Sequence, residues 1–507
     1  MMLVHDFLLE SGNRWPDAEA LVAGGRFTYA DLLNASSSLA ASLAESGVKP
    51  GDRIAVLTDV PFDYIVSYFG TLLAGGVFVG LNTQTSERTV LKLLSDSGSS
   101  AVLTNRKFLK FFNTSRITID SLNLLASPGG GVVSGIACRD LNEMLHAKTD
   151  SSFVPPIIES SALAQIIYTS GTTGTPKGVM LSHQNLVANT LSTVKYLGLT
   201  ENDSVMVVLP FFYSYGNSVL LTHIAAGGKL VVNQSLMYPN LILDQIIKER
   251  VTGFSGVPST FSLLLNKSAI HDNSFPHLRY LTQAGGAMSI QLADRLSGAL
   301  PDVPIFVMYG QTEAAPRLSY LEPEELRRKP GSIGKAIPGV TLEVLDQSGG
   351  PVQPGEIGEL TARGENVMLG YWGQPEATAE VLRDGRLWTG DLATIDAEGY
   401  LYLHGRKSEM IKSGAHRIAP REIEDVLLEH EAVLESAVIG VDDDILGESI
   451  VACVVLKQSD ACSEKDLINH CHRILPAFKV PHRIKFCIEL PKTESGKVKK
   501  TELKSYN

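Results

Sequence analysis

The chain has 507 residues, 44% of them hydrophobic and 20% charged, with a formal net charge of −11. That length exceeds what one hydrophobic core holds, so two or more domains are expected. The acidic balance excludes a nucleic-acid binder, which needs a basic face. Cys138, Cys453, Cys462, Cys471 and Cys487 form no CxxC pair, so neither a zinc site nor a disulfide framework is expected, and idle thiols fit a reducing compartment. The N-terminus lacks a charged-then-apolar leader, and no apolar run reaches the roughly 18 residues of a spanning helix. The expectation is a soluble, cytoplasmic protein with no membrane span.

Residues 1–165 alternate short β-like runs with helical patterns. Ala20–Val22, Arg26–Thr28, Ile54–Thr58, Val77–Val79 and Ala101–Leu103 read as strands, and Tyr29–Ser46 and Phe62–Ala74 carry apolar residues at helical spacing. Pro50-Gly51-Asp52 is a turn, and the glycines at 129–131 read as a surface loop. This alternation implies layered α/β structure with parallel strands.

The densest chemistry runs from Ile166 to His183. Ser170, Thr172 and Thr173 supply hydroxyls beside Thr169. Gly171, Gly174 and Gly178 let a backbone approach a ligand closely, and Lys177 adds a positive charge. These are the parts of a phosphate-cradling loop between a strand end at Ile166–Tyr168 and a helix after Ser182. It is not a Walker loop, because Pro176 precedes Lys177 and Gly178 follows it. A flexible linker would not need Pro-Lys-Gly and β-rich flanks. The stretch resembles the phosphate loop of the adenylate-forming superfamily, which holds acyl-CoA synthetases, luciferases and adenylation domains.

Further motifs follow in order. Ser204–Leu209 reads as a buried strand leading to Pro210-Phe211-Phe212-Tyr213-Ser214-Tyr215-Gly216. The resemblance makes this the opening of the helix that lines the acid pocket. Amino-acid-activating members carry an aspartate where Ser214 stands; an unpaired buried ammonium is costly, so α-amino acids are disfavoured. Gly256-Val257-Pro258-Ser259 follows, then Ala284-Gly285-Gly286-Ala287-Met288, which the family uses as a backbone platform beside adenine and the acyl group. Met308-Tyr309-Gly310-Gln311-Thr312-Glu313 closely matches the family's Tyr-Gly-x-Thr-Glu motif. The resemblance implies that Tyr309 stacks on adenine, Thr312 contacts the α-phosphate and Glu313 binds Mg²⁺, a hard ion that prefers oxygen.

Residues 331–405 carry hairpin signals at Asp384-Gly385 and Glu398-Gly399 and read as mostly antiparallel β. Within them, Trp388-Thr389-Gly390-Asp391 resembles a family motif, and the resemblance implies that Asp391 accepts both ribose hydroxyls, as acceptor-only oxygens can. By resemblance Arg406 contacts ribose or phosphate and Ser408 stands at the interdomain hinge, where Asp or Lys is commoner. Ala415 replaces a frequent glycine of the pantetheine tunnel, with Gly414 one place earlier. Residues 409–507 pattern as a small α+β domain, with helices near Pro420–Leu428 and Glu464–Ile474 and strands near Ser436–Val441 and Ser449–Leu456. Lys497, in Ser-Gly-Lys, matches the family's catalytic lysine.

The expected fold is therefore α/β. A large N-terminal domain, residues 1–405, has layered α/β subdomains (about 1–165 and 166–330) and a β-rich one (331–405). A small mobile α+β domain, residues 406–507, turns about Ser408. The expected catalytic residues are Lys497, Lys177, Thr312 and Glu313. ATP would be held by Thr169, Ser170, Gly171, Thr172, Thr173, Gly174, Lys177, Gly285, Gly286, Ala287, Met308, Tyr309, Gly310, Thr312, Asp391, Arg406 and Lys497, with Glu313 on the metal. The acid pocket would comprise Tyr213, Ser214, Tyr215, Asn217, Gly256, Ala284, Met308 and Ala314, a wall suited to a largely apolar fatty or aromatic acid. Arg317 could pair with a second carboxylate, but it reads first as a surface or structural arginine. The implied reaction is attack of a carboxylate on the α-phosphorus of ATP, release of pyrophosphate, then transfer to a thiol. Positioning and charge neutralisation carry such a step. The acceptor is coenzyme A, or the phosphopantetheine of a separate carrier protein. A luciferase-like oxygenase ranks low, and a non-catalytic paralogue conflicts with intact Lys177, Glu313, Asp391 and Lys497.

Overall fold

The computed structural model describes residues 2–112, 119–133, 136–147, 153–169, 176–233, 235–414, 416–443, 445–458, 461–492 and 498–504. Four sheets organise them. At the centre of the first, Arg53–Leu57 pairs in parallel with Val77–Gly80 and Ala101–Thr104. Ile54, Ala55, Val56 and Leu57 are all fully buried, as a strand covered on both faces requires. Helix Tyr29–Glu45 starts in a reciprocal cap between Thr28 and Asp31, and it packs beside Pro61–Leu73.

The sheets interleave segments that chain order separates. Leu163–Thr169 joins the first sheet in parallel beside Val77–Gly80, whereas Glu19–Val22 and Arg26–Thr28 form a hairpin on the edge of the second. The second sheet continues as a parallel run through Lys229–Val232, Ser204–Val207, Gly253–Gly256, Tyr280–Gln283 and Ile305–Gly310 and ends in the antiparallel strands Arg317–Leu321 and Lys335–Ala336. The helix expected after Ser182 runs from His183 to Leu197, and a strand precedes it. Lys177–Ser182 is a second strand, antiparallel to Leu163–Thr169, because Val179 and Leu181 alternate inward, and the helix His183–Leu197 starts only after it. Gly131 likewise begins a short strand, Gly131–Val133, instead of lying in a loop.

The third sheet is antiparallel, built on Gly358–Gly364 and Arg386–Ile395. Its tight turn at Asp384-Gly385 takes φ of +53° and +67°, the mirror-type geometry that suits a two-residue hairpin. The fourth sheet carries Val433–Asp443 against Gly447–Leu456, with helices Pro420–Leu428 and Glu464–Ile474 packed in the same core. No helix among the described residues is long and apolar enough to cross a membrane.

Two buried histidines report on the packing between helices and sheets. His223 is fully enclosed, its Nδ1 2.9 Å from the Val219 carbonyl and its Nε2 2.9 Å from the Tyr280 hydroxyl, so the neutral ring is satisfied. Burial pushes its pKa down to about 4. His183 accepts the Val4 N–H at 3.2 Å, and burial lowers it to about 3. Both folded-state values lie below the ordinary ~6.5. Between those values and ~6.5 the unfolded chain binds more protons, so stability falls as pH falls through that window, by about 1.4 kcal/mol per unit for each histidine. Unfolding midpoints measured from pH 7 to 5 are expected to drop, and His223→Gln to flatten the slope. An unchanged slope in that variant would refute the assignment.

Candidate functional site

The site grows from the end of strand Ile305–Gly310. Gly310 is obligatory there, since a Cβ would stand 1.8 Å from the Pro316 carbonyl oxygen as the chain folds back. The turn Thr312–Ala314 that follows presents two side chains. Thr312 donates to the Ser214 hydroxyl at 3.1 Å, and the Glu313 Oε1 accepts from the Tyr371 hydroxyl at 2.8 Å. Tyr371 reaches that place because Gly370–Tyr371 pairs onto Lys177–Ser182, with Tyr371 opposite Val179. The same pairing sets the Lys177 ammonium 4.8 Å from the Tyr371 ring centroid, a cation–π contact. Burial and the Glu313 charge both push the Tyr371 phenol upward, so it stays a donor.

Asp391 and Arg406 face each other across the third sheet, in register on Arg386–Ile395 and Leu401–Arg406. The Arg406 Nε lies 3.2 Å from Asp391 Oδ1, and the Tyr309 hydroxyl donates to Oδ2 at 2.6 Å. Asp391 is thus oriented from both sides and keeps lone pairs for a further donor. Burial, with the Asp391 charge second, raises Tyr309 well above the ordinary phenol range.

Asp391, Arg406 and Tyr309 share one cavity of about 750 Å³ with Gly285, Gly286, Ala287, Met308 and Gly310. That volume suits a nucleotide-sized ligand. Lys492, Val498 and Lys500 from the C-terminal segment line the same cavity, and Lys492 bridges to Val498. Lys500 is anchored by Glu424 at 2.7 Å and Glu409 at 3.4 Å. Ser408 lies exposed in the turn Lys407–Glu409, and Lys407 pairs with Glu359 at 2.9 Å. Thr169 ends its strand with its hydroxyl 3.4 Å from the Lys177 carbonyl. Ser170, Gly171, Thr172, Thr173, Gly174, Ala415 and Lys497 lie outside the described residues.

Helix Ser214–Ala226 borders the expected acid pocket. Tyr213 and Ser214 are half-buried; Tyr215, Asn217, Gly256, Ala284, Met308 and Ala314 are buried. The Tyr215 hydroxyl sits 2.9 Å from both the carbonyl and the hydroxyl of Thr282. Arg317 is not a surface residue: it is 3% exposed, with its guanidinium carbon 4.1 Å from the Tyr215 ring centroid. Its Nε has no hydrogen-bond partner, and no carboxylate among the described residues is within ion-pair distance. A desolvated cation–π contact returns about 2 kcal/mol, against several kcal/mol for burying an ion. Arg317 is therefore under-compensated.

Two asparagines complete the site without a sequence signal. The Asn189 amide donates to the Ala314 and Arg317 carbonyls at 3.2 and 2.8 Å, and the Asn366 amide donates to the same two at 2.9 Å each. They lock the turn that carries Thr312 and Glu313. Only a polar residue buried among apolar helix neighbours hints at Asn189, and nothing local marks Asn366.

Comparison with known proteins gives the family. The family model described as AMP-binding enzyme matches residues 8–372, and the AMP-binding enzyme C-terminal domain matches residues 422–497. A long-chain-fatty-acid–CoA ligase of Salmonella typhimurium is 33% identical over 97% of this chain and 92% of its own. The crystal structure of an anthranilate CoA ligase with anthranoyl-AMP superposes with a TM-score of 0.90 at 26% identity, over 99% of this chain and 97% of that one. The O-succinylbenzoate coenzyme A synthetase of Bacillus subtilis, solved with ATP and magnesium ion, gives 0.84 at 29%, over 98% and 99%. With the family models, the relatives and the fold in agreement along nearly its whole length, this chain belongs to the AMP-binding enzyme family, the adenylate-forming superfamily, as an AMP-forming acid–thiol ligase.

Proposed function

We propose that this chain activates a carboxylic acid with an apolar body, using ATP and Mg²⁺, and passes the acyl group to coenzyme A in the cytoplasm. The observation that carries this reading is the single cavity bounded by Gly285–Ala287, Tyr309, Asp391 and Arg406 on one side and by Lys492 and Val498 on the other. A nucleotide would meet a ribose acceptor at Asp391 and a base platform at Gly285, Gly286 and Ala287, with Met308, Tyr309 and Gly310 along its edge. Thr312, Lys177 and the loop of Thr169, Ser170, Gly171, Thr172, Thr173 and Gly174 would take the phosphates.

The residues fit a magnesium ion of one kind. Among the described residues no cluster of three or more His, Cys, Asp or Glu side chains could cage a metal. Glu313 offers one carboxylate, with Oε1 oriented by Tyr371. A lone carboxylate suits Mg²⁺, which keeps its waters and binds largely through substrate phosphates. At Glu313 the ion would supply charge neutralisation on the phosphates.

The protein's own part is positioning. Thr312 and Lys177 hold the phosphoryl oxygens, and the Ser214 hydroxyl, already bonded to Thr312, steadies that contact. Lys497 would bridge the attacking carboxylate and the α-phosphate, a charge-assisted contact of the stronger kind. Residues 406–507 would then turn about Ser408 as a two-state domain motion relative to residues 1–405, withdrawing Lys497 and bringing the segment after Ser408 to the thiol. All five cysteines are free thiols, in keeping with a reducing compartment. A carrier protein's phosphopantetheine offers the same thiol as coenzyme A and is the second acceptor to test.

The test is acid-dependent pyrophosphate release from ATP and Mg²⁺ across fatty, aromatic, dicarboxylic and amino acids, without and with coenzyme A. Release that depends on one acid class, and rises when coenzyme A is added, is expected. Stimulation by a phosphopantetheinylated carrier protein alone would move the acceptor. Orthophosphate in place of pyrophosphate, or no release with any acid, would overturn the reading.

A further inference from the structure

We infer that the acid activated by this chain carries a second anionic group at the end away from the reacting carboxylate, and that Arg317 selects it. The inference rests on the acid-activating function proposed above and names its substrate class.

Arg317 opens the strand Arg317–Leu321, and the antiparallel register sets it opposite Gly310, which lines the cavity. Its backbone cannot drift, because Asn189 and Asn366 both hold its carbonyl and Asn189 also accepts its N–H at 3.3 Å. Its guanidinium is enclosed by tyrosines from two helices. Tyr215 lies under it at 4.1 Å, immediately after Ser214, whose hydroxyl meets Thr312. Tyr196 stands beside it, and the Tyr196 hydroxyl donates to the Met308 sulfur at 3.3 Å. Met308 in turn lines the cavity. The cation therefore sits one layer of side chains behind the cavity wall, along the helix that borders the acid pocket.

An arginine cannot shed its charge by losing a proton. A buried cation is paired in the resting fold or waits for an anion. Here the guanidinium lies over the Tyr215 ring and bonds to the Tyr196 hydroxyl, its Nε is buried with no acceptor, and no described carboxylate reaches it. The Asn217 Oδ1 and the Gln283 Oε1 are both buried without a hydrogen-bond partner, although Gln283 lines the cavity and its amide N–H is bound to the Gly286 carbonyl at 2.8 Å. A planar guanidinium in a fixed position matches a carboxylate, phosphate or sulfonate with two oxygens to offer. A monocarboxylic acid of the same shape would leave Arg317 buried and unpaired, which is how a polar pocket rejects an isostere lacking the group.

The experiment compares dicarboxylic acids with monocarboxylic acids of equal length and with half-esters, whose distal group is neutral, in pyrophosphate release by the full chain. Wild type is expected to favour one dicarboxylic acid by about 100-fold or more in kcat/KM over its half-ester, the scale of a buried charge pair left without one partner. Arg317→Met is expected to erase that preference through the KM for the acid while the KM for ATP holds; Arg317→Lys, which keeps the charge without the fork, should retain part of it. A purely structural arginine would lower all acids together and leave the ratio intact. The wild-type ratio needs no variant, so a poorly folding Arg317→Met leaves the test standing. Equal or better use of the monocarboxylic acids by wild type overturns this inference alone. No acid-dependent pyrophosphate release with any acid overturns the function on which it rests.

Discussion

Replacing Lys497 by alanine is expected to lower acid-dependent pyrophosphate release by about 10²–10³-fold, the cost of removing one preorganised charge-stabilising donor. The same variant should make thioester from a supplied acyl adenylate and coenzyme A at close to the wild-type rate. The contrast follows from the two-step chemistry. In the first step a carboxylate approaches the α-phosphate, both negative, and a cation between them is worth most at that moment. In the second, AMP already leaves readily and the thiol needs a clear path instead. Lys492 and Val498 line the cavity that holds Asp391 and Arg406, so the chain on either side of residues 493–497 faces the nucleotide site. By contrast, Lys500 is committed to Glu424 and Glu409 and is not free to substitute. Equal loss in both half-reactions would overturn the role given to Lys497.

The second large effect is expected at Asp391. Asp391→Asn should raise the KM for ATP by about 10–100-fold, since charge-assisted hydrogen bonds contribute roughly 1.5–3 kcal/mol each. It also leaves the Arg406 guanidinium without its carboxylate and replaces an acceptor for the Tyr309 hydroxyl by an amide that can present its NH₂ there instead. With Tyr309 proposed at the base edge and Arg406 just before Ser408, the loss is expected to spread to both sides of the nucleotide. The KM for the acid should stay within a few-fold of wild type, because Asp391 sits on the third sheet and the acid pocket on the second. The check is separate titration of ATP and acid at saturating partner. An unchanged KM for ATP would remove Asp391 from the ribose.

How much of this was readable before folding depends on the range of the interaction. The helix starts read from the sequence at Tyr29, after Ser182 and at Glu464 match the fold, where Thr28 with Asp31, Ser182 with Asn185 and Ser463 with Asp466 each close a reciprocal cap over three residues. The hairpin at Asp384-Gly385 was legible because a two-residue turn dictates its own φ values. The motifs around Thr169–Lys177, Tyr309–Glu313 and Asp391 were legible as chemistry because each packs donors, glycines and a charge into a few consecutive positions.

The partners were not legible. Tyr309 and Asp391 are 82 residues apart, and Tyr371 and Glu313 are 58 apart. Nothing in either local pattern selects the other; sheet register does. The same holds for Lys177 over Tyr371, which exists because Gly370–Tyr371 adds an edge strand to the first sheet. Arg317 shows the limit most plainly. In the chain it is one arginine after a proline, with no periodicity to mark it as inward, and an arginine is ordinarily at the surface. Helices from elsewhere bring Tyr196 and Tyr215 around it, and Asn189 and Asn366 fix its backbone. Local order determined the elements and the chemical vocabulary. Only the packing of sheets and helices across long stretches of chain decided which charges are paired, and which one is buried without a partner, because desolvation is a property of the surroundings and not of the residue.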